Sequence, residues 1–205
     1  METIKKNPAT WGIIIINVIV FIAVELTGGS DDVTHMLNWG AEYAPIIREQ
    51  GEYYRLFTCM FLHFGLAHLG NNMLILFFVG GYLERAAGKI RFLLIYLLGG
   101  LGGSCVSYYM DIVHEQAAVS VGASGAVFAV IGGMLWVLLY HKGRVEDLTV
   151  KKMAFMAALS LYFGFTSTGV DNSAHVGGLI IGFLSALLCY HPPRARIRER
   201  DDFRQ

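Results

Sequence analysis

The chain is short of charge. Only 16% of its 205 residues are Asp, Glu, Lys or Arg, whereas 55% are hydrophobic and the mean hydropathy is +0.51. A soluble domain of this length cannot hide so much apolar side chain, so an ordinary globular enzyme is excluded and a polytopic membrane protein is indicated. Cysteine is scarce as well. Cys59, Cys105 and Cys189 are odd in number, widely separated and set among apolar residues, which excludes a disulfide framework and reads as small buried hydrophobes. No repeat recurs at a fixed period, and no second, soluble domain is visible.

Several signatures of hydrolytic chemistry are also missing. His63 and His68 stand five apart without an adjoining glutamate, so the zinc motif H-E-x-x-H is absent and no metal site is expected. No pair of aspartates lies within the apolar stretches, which disfavours an intramembrane aspartyl mechanism. Gly122-Ala123-Ser124-Gly125-Ala126 is not the G-x-S-x-G nucleophile elbow, which also needs a strand before the serine.

What is present is a succession of six apolar stretches, at 11–26, 66–83, 92–109, 117–140, 153–170 and 174–190. Each falls in or near the ~17–25 residues that span a hydrocarbon core as helix. The 24 glycines suit helices that pack closely in lipid. Basic residues orient the bundle. With the N-terminus inside and six alternating spans, the inside holds Lys5, Lys6, Arg85, Lys89, Arg91, Lys142, Arg144, Lys151, Lys152, Arg194, Arg196, Arg198, Arg200 and Arg204, against Arg48 and Arg55 outside. This is a marked positive-inside bias. The expected architecture is an all-α membrane protein, a compact bundle of six transmembrane helices over 1–191 with both termini cytoplasmic.

The first stretch has no small-residue cleavage site after it and reads as a retained anchor. The segment 27–65 is the longest external loop. It mixes Trp39, Tyr43, Tyr53, Tyr54 and Phe57 with Glu42, Arg48, Glu52 and Arg55, a composition that favours the membrane interface. The basic stretch 192–205, after Pro192-Pro193, reads as a solvated inner tail and not as a nucleic-acid site.

Ser124 lies near the start of the fourth apolar stretch and His175 near the start of the sixth. Polar groups are costly at such positions and are functional candidates by default. A serine and a histidine are the minimum for an activated nucleophile and its base. Helix rise puts Ser124 ~24 Å above Tyr140 and His175 ~22 Å above Tyr190, so the two land at one depth, toward the external ends of their helices. Gly178 and Gly182 follow His175 on its own face as a small-xxx-small pair that admits a neighbouring backbone. Phe128 and Gly132, at i+4 and i+8 from Ser124, give that face one bulky and one small contact, and Phe128 is placed to stack on the imidazole.

His68 and Asn72 share a helix face one turn apart in the second stretch. An asparagine amide can serve an oxyanion, as can the Ser124 backbone N–H and a suitably protonated His68. Asn71 is equally reachable on spacing, so the choice between the asparagines stays open. Asp171 lies four residues before His175, but at a helix start it reads as a cap or a solvated group and not as a third triad member.

These residues resemble the rhomboid family of intramembrane serine proteases. The resemblance rests on Gly51-Glu52-Tyr53-Tyr54-Arg55, on His63 through His68 to Asn72-Met73, and on Gly81-Tyr82-Leu83-Glu84-Arg85. It continues through Gly122-Ala123-Ser124-Gly125 and Asp171-Asn172-Ser173-Ala174-His175-Val176-Gly177-Gly178. It implies a compact six-helix bundle whose fourth helix begins below the outer surface. It implies Ser124 as nucleophile, His175 as general base, and Asn72, in preference to Asn71, with His68 as oxyanion partners. Glu52 and Arg55 would brace the first loop, and the fifth helix with its following loop would form a mobile gate. Two positions depart from the family pattern: Tyr54 stands where tryptophan usually precedes the loop arginine, and Phe128 where tyrosine often follows the serine.

The expected activity is peptide hydrolysis in or near transmembrane segments of other membrane proteins, within the lipid bilayer and without metal or organic cofactor. The expected location is a bacterial cytoplasmic membrane, with the active site toward the external side. The rival readings are an inactive relative that binds membrane helices, which typically lacks the serine or the histidine, and a small transporter, which more often shows broken helices in two repeated halves.

Overall fold

A computed structural model describes residues 7–166 and 169–190. Lys5, Lys6 and the basic stretch 192–205, which entered the orientation argument, lie outside the described residues. Long helices follow the apolar stretches. They are α1 (Pro8–Thr27), α5 (Gly65–Ile75) running through a π turn (Leu76–Gly80) into α6 (Gly81–Ala87), α7 (Lys89–Val113), α8 (Ser124–Tyr140), α9 (Val150–Thr166) and α10 (Asn172–Cys189). Among the described residues, Pro8–Thr27, Gly65–Ala87, Lys89–Val113 and Asn172–Cys189 are long and apolar enough to cross a membrane, and Ser124–Tyr140 is a shorter apolar helix.

The first loop is built of short helices α2 (Val33–Asn38), α3 (Ala44–Gln50) and α4 (Arg55–Thr58), with a 3-10 turn at Cys59–Phe61. Tyr53, Tyr54 and Phe57 stay exposed there, as side chains at a membrane interface do. Arg55 is buried and holds the loop from inside. Its Nη2 pairs with Glu52 Oε2 at 2.6 Å, and its Nη1 donates to the carbonyls of Leu37 and Ala41 at 2.7 and 3.0 Å.

The fourth apolar stretch extends back to residue 117, but α8 starts only at Ser124. Val119–Ser120 instead forms strand β2, paired antiparallel with β1 (Glu42–Tyr43) of the first loop in the register Glu42↔Ser120 and Tyr43↔Val119. The apolar run is uninterrupted by charge, so composition hides the change from strand to helix. A second small ladder, β3 (Arg144–Val145) with β4 (Leu148–Thr149), joins α8 to α9.

Glu84 shows why a carboxylate is tolerated in an apolar helix. It is buried, and its two oxygens take the backbone N–H groups of Ala9 and Thr10 at 2.9 and 2.7 Å and the Thr10 hydroxyl at 2.7 Å. It thereby supplies acceptors to the first turn of α1, which has no side-chain cap of its own. The three cysteines do not share one fate. Cys59 is buried, Cys189 half-buried and Cys105 exposed on α7, so the expectation of three buried thiols is corrected for Cys105. Its helix turns that position outward, where lipid can solvate a thiol as readily as a core.

α7, α8 and α10 form the centre. A β-carbon added at Gly178 would collide with the Gly125 carbonyl, and one at Gly182 with the Ala129 carbonyl, so these backbones touch directly. The contacts advance together along both chains, making α8 and α10 parallel. α7 runs the other way, with Gly103 against Ala174 and Gly178, and Gly99 against Ala129 and Gly182. Backbone contact of this kind is the main source of adhesion between helices in lipid, where burying apolar surface gains little.

Candidate active site

Parallel packing sets the N-terminal ends of α8 and α10 side by side, and those ends carry Ser124 and His175. Both line one cavity of about 950 Å³, together with His68, Asn71, Asn72, Phe128 and Asp171. His175 is buried, and Phe128 lies flat against its ring with centroids 4.4 Å apart and an interplanar angle of 18°. His175 Nδ1 has no hydrogen-bond partner among the described residues, so no carboxylate orients the imidazole. Stacking and helix packing hold it instead.

The segment before Ser124 is fixed by two backbone bonds. The Gly122 N–H donates to the Cys59 carbonyl at 3.0 Å, and the Ala123 N–H donates to His63 Nε2 at 3.4 Å. Gly122 has φ +137°, a conformation open to glycine, and a β-carbon there would meet the His68 ring and stand 3.5 Å from Ser124 Oγ. The lack of a side chain at Gly122 therefore lets His68 and the serine hydroxyl share one corner of the cavity.

Asn72 is buried on α5 with its Nδ2 unpartnered, whereas Asn71 is exposed, although both line the cavity. A buried amide donor without a partner is costly and marks a place where an acceptor can be received. His63 is a residue whose part sequence reasoning missed. It is buried, packs edge-on against His68 with centroids 5.2 Å apart, and accepts the Ala123 N–H. Burial, aided by His68, pushes its pKa down to about 3, so it stays a neutral acceptor. The signal available in the sequence was a second histidine on the approach to His68, read there against a metal motif and within the family resemblance but given no role.

Asp171 caps α10, accepting the Ala174 N–H at 2.8 Å, as its position before the helix suggests. Its other oxygen accepts the hydroxyls of Ser107 and Ser120 at 2.5 and 2.6 Å. Nearby, Glu42 is buried and receives the Cys59 thiol at 3.5 Å. Burial, reinforced by the Asp171 carboxylate, pushes the Glu42 carboxyl up to about 8. Glu52 and Arg55, by contrast, belong to the first loop and do not line this cavity.

A helical bundle with lipid-length spans around a cavity lined from α5, α7, α8, α9 and α10 defines a multi-pass membrane protein. The Rhomboid domain model matches residues 50–192, and the chain belongs to the rhomboid family. It is 38% identical over 181 residues to "Rhomboid protease GluP" of Bacillus subtilis (strain 168), covering 88% of this chain and 34% of that protein. It is 34% identical over 149 residues to "Putative rhomboid protease YdcA" of the same organism, covering 71% of this chain and 72% of that protein. To "RHOMBOID-like protein 4" of Arabidopsis thaliana it is 36% identical over 180 residues, covering 84% and 43% of the two chains. The chain thus spans about a third of GluP and under half of RHOMBOID-like protein 4.

Proposed function

We propose that the chain is an intramembrane serine endopeptidase that hydrolyses peptide bonds in or near transmembrane segments of other membrane proteins. One observation carries the reading: Ser124 and His175 open two parallel helices in backbone contact and line one cavity. Membership of a family whose relatives include named rhomboid proteases supports it.

In this reading His175 takes the Ser124 proton as the hydroxyl attacks the substrate carbonyl. The oxyanion is met by Asn72 Nδ2, by the Ser124 backbone N–H and by His68. The imidazolium then protonates the leaving amine, and water attacks the acyl-enzyme to release the second fragment and restore both residues. Phe128 orients the imidazole, while Gly122, Gly125, Gly178 and Gly182 admit the close approaches. Glu52 and Arg55 brace the first loop. No cofactor takes part.

The bundle has six spans in this proposal, with α9 as the fifth and both termini cytoplasmic, in the cytoplasmic membrane of a bacterium. The cavity then opens toward the external side. Substrate helices must unwind to present a carbonyl, so glycine, proline or small polar residues near the cut favour turnover. Purified protein incubated with a panel of single-span membrane proteins, beside Ser124→Ala, tests the proposal. Fragments are expected from the wild type alone.

A further inference from the structure

We propose that Asp171 is a positioning residue of this reaction, whose carboxylate clasps the segment that carries Ser124 to the helix that carries His175. The inference rests on the Ser124–His175 reading and goes beyond it. One carboxylate joins three separate pieces of chain. Its Oδ1 caps the first turn of α10, four residues before His175. Its Oδ2 accepts Ser120 Oγ from β2, four residues before Ser124, and Ser107 Oγ from the buried face of α7.

A cap alone needs one acceptor, and a serine or asparagine would serve it as well. The second oxygen is taken by two hydroxyl donors, at the short distances of charge-assisted bonds. β2 has few other ties. It is two residues long, is paired only with the equally short β1, and leads into α8 through Gly122. Without the Ser120 bond the approach to Ser124 is held by the β1 ladder and the two backbone bonds at Gly122 and Ala123. Displacements well under the length of a bond between nucleophile and base are costly in rate, up to about 100-fold for 1 Å. Asp171 makes no hydrogen bond to the imidazole Nδ1, which is unpartnered, and replacing Ser107 and Ser120 leaves in place the charge that Asp171 sets near the ring. The clasp acts through the backbone of both segments.

The test separates clasp from cap. Asp171→Ser keeps a capping oxygen but cannot also receive both hydroxyls, and Ser107→Ala with Ser120→Ala keeps the cap and removes the donors. A fluorophosphonate probe reads the dyad without a known substrate. The Ser124 Oγ–P bond forms, fluoride leaves, and the serine proton passes to His175. Both variants are expected to lower the maximal inactivation rate about tenfold, with the probe's KI changed less than twofold and Tm near wild type. Combining them is expected to cost no more than either alone, because both break the same link. A wild-type inactivation rate in the double-serine variant overturns the clasp, even if Asp171→Ser fails to fold. An inert wild-type protein, or Ser124→Ala labelled equally, sinks the dyad reading and this inference with it.

Discussion

The ring of Phe128 lies against the imidazole of His175, 4.4 Å between centroids and 18° from parallel. With Nδ1 unpartnered, this stack and the helix contact are what fix the ring's orientation. Phe128→Ala is therefore expected to lower turnover roughly two- to tenfold, since an aromatic pair is worth ~0.5–1.5 kcal/mol beyond its area and the vacated space lets the ring turn. Phe128→Tyr is expected to retain most activity. Initial rates of proteolysis check both, and equal rates for wild type and Phe128→Ala contradict the orienting role.

Gly178→Val is expected to disable the enzyme although Gly178 touches no reacting atom. Its β-carbon would collide with the Gly125 carbonyl one residue from Ser124, forcing α10 from α8. Loss of probe labelling with a lowered Tm is the expected pair of results. Wild-type labelling would show that the helices can part without separating the dyad.

Glu42 supplies a pH dependence with a definite sign. Burial, and next the Asp171 carboxylate, raise its pKa from 4.5 to about 8, so between those values the folded chain holds a proton that the unfolded chain has lost. The stability this group contributes is complete below pH 4.5, falls as pH rises, and is gone above about 8. Glu42→Gln, which is neutral throughout, is expected to flatten the decline in Tm across that window. An unchanged slope in Glu42→Gln would refute the assignment.

Arg55 ties the first loop through Glu52 and the carbonyls of Leu37 and Ala41. Arg55→Ala leaves the buried Ala41 carbonyl without its guanidinium donor, at ~1–3 kcal/mol, and releases Glu52 and the Leu37 carbonyl as well. A lower Tm in detergent is expected, and Arg55→Lys is expected to recover only part of it, because an ammonium lacks the guanidinium fork. A Tm equal to wild type in Arg55→Ala would remove the bracing role.

Much of this arrangement was legible in the residues because its causes are local. Apolar runs of lipid length give the long helices, and Gly178 and Gly182 at a fixed spacing from His175 mark the face that meets α8. Asp171 before the helix start reads as a cap and is one. The contacts that escaped notice are those set by distant chain. Ser107 and Ser120 reach Asp171 across 64 and 51 residues, and Glu84 reaches Ala9 across 75. The late start of α8, which the family resemblance implied, was hidden in composition for a related reason: the preceding strand owes its form to Glu42 and Tyr43, in another part of the chain. His63 was hidden because its partner is a backbone N–H, which no side-chain pattern reports.

In the proposed mechanism Ser124, with His175, cuts substrates near the outer edge of the bilayer. The direct measurement is mass spectrometry of the fragments that proteoliposomes of the wild type, Ser124→Ala and His175→Ala release from a single-span membrane protein. Helix rise puts Ser124 ~24 Å above Tyr140, against a hydrocarbon core ~30 Å thick. One cut in the outer part of the substrate span is expected for the wild type, and none for either variant. Robust cleavage by Ser124→Ala, or consistent cleavage in the inner half of the span, would contradict that mechanism.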